Sequence, residues 1–135
     1  MMVNRSIPRS TVIPEVPCPD IGQAIDWLCG TFGFTLRLRI ANHRAHLHVS
    51  EGAVALVEAH ADMPWRSSVL VRLEDLDTHH EHARQSGARI LRPPTDYPYG
   101  ERQYTVEDFA GNRWTFSQSI ADIDPTDWGG TPGQL

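Results

Sequence analysis

Two histidines stand one residue apart at His46 and His48, with His43 just before them, in a stretch where polar and apolar side chains alternate. An H-x-H pair on one strand face is half of a metal site, because imidazole is a good donor for zinc, copper, iron and nickel. Two donors do not close a coordination shell. The pair therefore needs a carboxylate such as Glu58 or Glu15, or it is simply a polar pair on a sheet face. The same two glutamates are candidates for acid–base chemistry or for pairing with arginines. His79, His80 and His82 cluster around Glu81 in a helical stretch, where a solvated polar face is the simpler reading. Cys18 and Cys29 have no base beside them in sequence and read as small apolar residues. Arg37 and Arg39 read either as cleft lining or as a charged row that guards an edge strand against aggregation. Trp65, Tyr97 and Tyr99 fall in loop-like segments and are candidates for stacking on a flat ligand, each contributing about 0.5–1.5 kcal/mol beyond area burial. Trp27 and Trp114 read as core, and Trp128 as the anchor of the C-terminal tail.

The elements that must carry these side chains can be read from periodicity. Val12 to Cys18 reads as a strand that Pro14 and Pro17 demote to an edge or a bulged strand. Asp20 stands where a helix cap belongs, Ile21, Ala24, Ile25, Leu28 and Phe32 follow at helical spacing, and Gly30 and Gly33 end the run. Phe34 to Ile40 alternates, with Phe34, Leu36, Leu38 and Ile40 on one expected face. A turn at Asn42-His43 leads to a strand carrying Ala45, Leu47 and Val49 on its apolar side. Ala53 to Ala59 makes a fourth strand. Residues 61–67 read as a linker, and then the plan repeats. Val69, Val71 and Leu73 form a strand face, and Asp75 or Asp77 caps a short helix that ends at Gly87. Ile90-Leu91 is a brief strand stopped by Pro93-Pro94, Tyr97–Gly100 a loop, and Gln103–Glu107 with Arg113–Ser117 a hairpin. Val16, Asp20, Ile21 and Leu28 correspond to Val71, Asp75, Leu76 and Ala83 at a constant offset of 55. A βαβββ unit written twice accounts for this, and two copies make a pseudo-twofold pair, since a solenoid needs at least three repeats.

With 135 residues, the chain has the length of one domain able to bury a core without disulfide or metal staples. It divides into an N-terminal segment 1–10 expected to fray, a first module 11–60, the linker, a second module 68–118 and a tail 119–135. A hydrophobic content of 40% with 21% charged residues excludes a disordered or collagen-like chain, and no apolar run reaches the ~20 residues of a membrane-spanning helix. The net charge of −5 argues against a general nucleic-acid binder, which carries a basic face. All twelve basic residues are arginine, whose planar fork grips acceptors in pairs. Two cysteines and no secretory signal point to a reducing cytoplasmic compartment.

Several stretches resemble the vicinal oxygen chelate superfamily of glyoxalase I, extradiol dioxygenases, fosfomycin-resistance thiol transferases and bleomycin-binding resistance proteins. They are Val12-Ile13-Pro14, Asp20 with Ala24-Ile25-Asp26-Trp27-Leu28, Phe32-Gly33-Phe34, Leu73-Glu74-Asp75-Leu76-Asp77, Gly87-Ala88, Tyr99-Gly100-Glu101-Arg102-Gln103 and Glu107-Asp108-Phe109-Ala110-Gly111-Asn112-Arg113-Trp114. The last is similar to the family's D-P-D-G-N turn, with Phe109 and Ala110 in place of the proline and the acid. The resemblance implies an α+β fold of two βαβββ modules in pseudo-twofold arrangement, a cupped mixed sheet with helices on the convex side and a ligand cleft on the concave side.

The resemblance also implies where metal-dependent members place their ligands. Those positions fall here at Ile13, Leu56, Ser68 and Thr115, and an isoleucine, a leucine and two neutral hydroxyls cannot build a metal shell. Alternation from these positions sends Glu15, Val54, Glu58, Leu70, Arg72, Arg113 and Ser117 inward, with Arg37, Arg39, His46, His48, Gln103 and Thr105 on the facing strands. A slip of one residue inverts a strand's assignment. The expected ligand-binding set is Glu15, Arg39, His46, His48, Leu56, Glu58, Trp65, Ser68, Arg72, Tyr97, Tyr99, Gln103, Thr105 and Thr115, with no catalytic residue, no metal and no cofactor. The expectation is thus a homodimeric, non-catalytic binder that sequesters an aromatic or intercalating antibiotic in a cleft at the subunit boundary, without nucleic acid or membrane as partner. The alternative is a glyoxalase- or dioxygenase-like enzyme with a metal site relocated to His46, His48 and Glu58, or acid–base chemistry around Glu15.

Overall fold

The fold is given by a computed structural model that describes residues 2–60 and 65–135, so most of the expected linker 61–67 lies outside the described residues. The first module runs β1 (Glu15–Cys18), α1 (Ile21–Phe32), β2 (Thr35–Ile40), β3 (Arg44–Val49) and β4 (Gly52–Glu58). The second runs β5 (Ser68–Arg72), α2 (Leu76–Gln85), β6 (Arg89–Asp96), β7 (Glu101–Glu107) and β8 (Arg113–Ser119), followed by a 3-10 turn at Pro125–Trp128. Each module is a four-stranded mixed sheet, in the orders β1-β4-β3-β2 and β5-β8-β7-β6. The first strand pairs parallel with the last in both. The α+β fold of two βαβββ modules is therefore present, and the offset of 55 is a structural repeat.

Matching residues do matching work in the two copies. The Asp20 side chain accepts from the Gln23 N–H at 2.9 Å and starts α1, and Asp75 accepts from Thr78 N–H at 3.3 Å and starts α2. Gly33, at φ 79°, ends α1 in the left-handed conformation, its N–H donating to Cys29 O. Val16 of β1 is fully buried, and its counterpart Val71 of β5 packs against the same core.

One core serves both modules. It includes Val16, Leu28, Phe32, Leu47 and Leu56 from the first and Leu76, Tyr104, Val106, Trp114 and Phe116 from the second. Phe32 at the end of α1 meets Phe116 edge-on at 4.9 Å and Trp114 at 5.7 Å, so the helix of one module packs against the sheet of the other. His79 of α2 completes this joint: its Nε2 donates to Phe32 O at 3.0 Å, and the Tyr104 hydroxyl donates to its Nδ1 at 2.6 Å. His82 Nε2 donates to Gly30 O at 2.8 Å. The solvated polar face expected of α2 is thus partly wrong, because two of its histidines cap the orphan carbonyls at the end of α1.

The Asp108–Asn112 turn is the second joint. Asp108 accepts from the N–H groups of Ala110 and Asn112 and from Trp114 Nε1, all near 2.9–3.0 Å. The fully buried Asn112 then donates to Pro17 O and accepts from Ser67 N–H, both at 2.9 Å, tying the turn to the first module and to the strand entry of the second. Other departures are local. β1 starts only at Glu15, after Pro14. β6 is not stopped by Pro93-Pro94 but runs for 8 residues through two register shifts, which let an edge strand carry prolines.

Candidate ligand-binding faces

Each sheet has one face on the core and helices and one open face. In the second sheet the register places Ser68, Leu70 and Arg72 of β5, Gln103 and Thr105 of β7, and Arg113, Thr115 and Ser117 of β8 on the open face, opposite the core residues Val69, Val71, Tyr104, Val106, Trp114 and Phe116. The first sheet departs from expectation in two strands. Leu56 pairs with Val16 and Ala45 and is fully buried in the core, as is Val54 opposite Leu47. Glu58 pairs in register with Cys18 and lies on the same helix side. The open-face residues of β4 are instead Ala53, Ala55 and Val57. The reason is the run Ala53-Val54-Ala55-Leu56-Val57, apolar on both faces, whose sequence carries no alternation to set the phase. In β2 a bulge between Leu36 and Leu38 does the same, turning Leu38 and Ile40 outward with His46 and Arg44. Arg39 accordingly lies on the helix side beside Gly22 of α1, its guanidinium donating to Ala41 O at 2.8 Å.

His46 and His48 do share the open face of β3, opposite Ala55 and Ala53. Glu58 is not with them: it sits near His43 Nδ1 at 3.3 Å. Glu15 is on the open face but ion-paired with Arg44 at 2.7 Å. The His46–His48–Glu58 trio is therefore not assembled, and among the described residues no group of three His, Cys, Asp or Glu is placed to hold a metal ion. Correcting Leu56 to Ala55 or Val57 leaves the donor chemistry at that position equally empty. His46 is 5% exposed, and its Nδ1 is the one buried side-chain nitrogen or oxygen without a hydrogen-bond partner among the described residues. Burial holds its pKa below the usual histidine value, and the Arg44 and Arg37 charges act in the same direction. A neutral imidazole with a free hydrogen-bonding position is the result.

The other expected residues form two further groups. Glu15, Glu58 and Trp65 line a pocket of about 500 Å³ at the end of the first sheet, together with His43 and Arg44. On the second sheet Tyr99 donates to Gln103 at 3.3 Å, Gln103 to Ser117 at 3.0 Å, and Ser117 to Glu101 at 2.8 Å. Thr105 and Thr115 are hydrogen-bonded at 3.0 Å, and Arg72 donates to Ser119 at 3.0 Å. Tyr97 and Tyr99 stack at 5.3 Å, Arg92 donates to the Tyr97 hydroxyl at 2.6 Å, and Trp128 of the tail packs on Tyr99 at 5.3 Å. Between the two sheets a second pocket of about 310 Å³ is lined by Pro14, Val54, Leu70, Val71 and Arg72. Leu70 there is 62% exposed, a large apolar side chain on an otherwise polar face.

With this geometry in place, comparison with known proteins assigns the class. Residues 11–116 match the model of the glyoxalase/bleomycin resistance protein/dioxygenase superfamily, and the chain belongs to that family. It is similar to the crystal structure of TioX from Micromonospora sp. ML1, at 32% identity over 82% of this chain and 99% of that one, with a TM-score of 0.74. It is also similar to a glyoxalase/bleomycin resistance protein from Streptomyces sp. CB03234, at 25% identity over 81% of this chain and 100% of that one, TM-score 0.68. A lactoylglutathione lyase from Agrobacterium tumefaciens shares the fold at 16% identity over 90% of this chain and 98% of that one, TM-score 0.64. No curated protein matches the chain.

Proposed function

We propose that this chain is a metal-independent small-molecule-binding protein that sequesters an aromatic-bearing antibiotic in a cleft completed by a second copy of itself. The donor set carries the reading. Ile13, Ala55, Ser68 and Thr115 offer no metal shell, and the two open-face histidines face alanines across the ladder rather than carboxylates. Glu15 on that face is ion-paired with Arg44. What the open faces offer is polar anchoring without an activated nucleophile, beside large apolar side chains left partly bare at Leu70, Ile40 and Trp65.

A homodimer fits those bare residues, since a second chain laid against them encloses both faces. No helix among the described residues is long and apolar enough to cross a membrane. Both cysteines are free, in keeping with a cytoplasmic setting. A thermal-shift and tryptophan-quenching screen against bleomycins, mitomycins and quinoxaline peptides, with sedimentation to fix the oligomeric state, tests the proposal. A response to one class by a dimer supports it, and a folded protein that answers none of them contradicts it.

A further inference from the structure

The turn between β6 and β7 carries two rings that reach the open face of the second sheet. Tyr97 and Tyr99 lie nearly parallel, with ring centroids 5.3 Å apart and 13° between their planes. The turn itself fixes them. Gly100 N–H donates to Tyr97 O at 3.0 Å and Tyr97 N–H donates to Glu101 O at 2.8 Å, Pro98 presets its own φ, and Gly100 takes the left-handed conformation at φ 85°. Both hydroxyls are tied down as well, Tyr97 by Arg92 and Tyr99 by Gln103, and Gln103 leads on to Ser117 of the open face. None of these bonds involves the tail, so the ring pair is in place without it.

Trp128 of the tail covers Tyr99 at 5.3 Å, tilted by 54°. The N–H groups of Ile120 and Ala121 still donate to Gly100 O, at 2.8 and 3.3 Å. Beyond them, among the described residues, every hydrogen bond of the tail is internal to it. Asp124 accepts from Thr126 N–H and Oγ1, Asp127 N–H donates to Asp124 O, and the Gly129 and Gly130 N–H groups donate to Pro125 O. The 3-10 turn is thus a self-closed unit held on the body by side chains, Ile123 beside Gly100 and Trp128 on Tyr99. Trp128 remains 45% exposed, and its tilt keeps it from the parallel contact that the tyrosines make with each other. A free flat ring is under no such constraint and can lie parallel on Tyr99. We propose that the Tyr97–Tyr99 pair is a stacking site for a flat aromatic group, that Trp128 is its tethered occupant, and that the 3-10 turn lifts as one unit when such a group binds. That the group belongs to an antibiotic rests on the function proposed above; the occupancy by Trp128 does not.

The probe is caffeine, a neutral, soluble, flat bicycle close to indole in size, titrated into the isotope-labelled full-length chain and followed by NMR. Trp128→Ala binds it roughly three- to tenfold more tightly than wild type, the worth of one ring contact, and Tyr99→Ala in that background removes the gain. Equal affinity in wild type and Trp128→Ala, no binding to Trp128→Ala up to about 10 mM, or a gain that survives Tyr99→Ala overturns the proposal. In wild type saturated with caffeine, the Trp128 indole N–H resonance moves to its position in Tyr99→Ala, while the Gly130 amide, bonded to Pro125 O inside the turn, keeps its shift. An unmoved indole signal refutes displacement, and a Gly130 amide that moves with it refutes lifting as a unit. No antibiotic enters the titration, so failure here is distinct from failure of the antibiotic screen.

Discussion

Asn112→Ala breaks the joint between the modules at one side chain. In the native chain Asn112 is fully buried, donates to Pro17 O and accepts from Ser67 N–H, both at 2.9 Å. Alanine leaves both main-chain groups without these partners in a place water does not easily reach. A buried polar group deprived of its partner costs about 1–3 kcal/mol, so two cost about 2–5 kcal/mol, the lower end applying if Ser67, which is only part-buried, recovers a water. For a domain of this size that is a fall in Tm of roughly 8–20 °C. Calorimetry or far-UV circular dichroism on Asn112→Ala measures it, with the exposed turn residue in Asn42→Ala as a control expected to move by no more than about 2 °C. A change in Asn112→Ala as small as that of the control refutes the claim that this side chain holds β1 to the second module.

Four further outcomes follow from the same structure. His46 and His79 both titrate below the usual histidine value because of burial, so the unfolded chain takes up protons first as acid is added. Stability is therefore fully present above the unfolded value of 6.5 and is lost as pH falls through the lower folded values; Tm scans from pH 8 to 5 show the drop, and His79→Gln, which keeps polar contacts near Tyr104, His80, His82 and Phe32 without titrating, lessens it and leaves the share of His46. His46→Leu, removing an unpaired buried nitrogen, leaves Tm unchanged or raised, as calorimetry on that variant reveals. Burial pushes the Cys18 thiol up to about 12, so a thiol reagent at pH 8 labels the half-buried Cys29 first, and Cys18 only on unfolding; mass mapping that finds Cys18 labelled first contradicts this packing. In Gly100→Ala the new carbon would sit 2.3 Å from Ala121 O at a φ of +85°, so the tail shifts and Trp128 leaves Tyr99, read as a change in tryptophan emission.

The repeat, the Asp20 cap, the two-module order and the open face of β5, β7 and β8 are legible in the residues, because alternation there is strong: Val69, Val71, Trp114 and Phe116 interleave with Leu70, Thr115 and Ser117. In the first sheet the same reasoning loses its phase. β4 is apolar on both sides, so Leu56 and Val54 have no polar neighbour to mark which way they point, and Glu58 inherits the error. A bulge in β2 is invisible to a period of two and sends Arg39 to the helix side. The roles of His79 and His82 depend on carbonyls at the end of a helix some 50 residues earlier, a relation that helical periodicity within α2 does not contain. The loop tyrosines resolve onto the chain's own tail, with Trp128 against Tyr99.

Native mass spectrometry of the protein incubated with each drug of the screen tests the central claim most directly. The account predicts a dimer that carries the drug at its unaltered mass, with no dependence on added zinc, nickel or manganese, and releases it unchanged on denaturation. Recovery of a chemically altered drug, or binding that appears only with a tightly held metal ion, contradicts it.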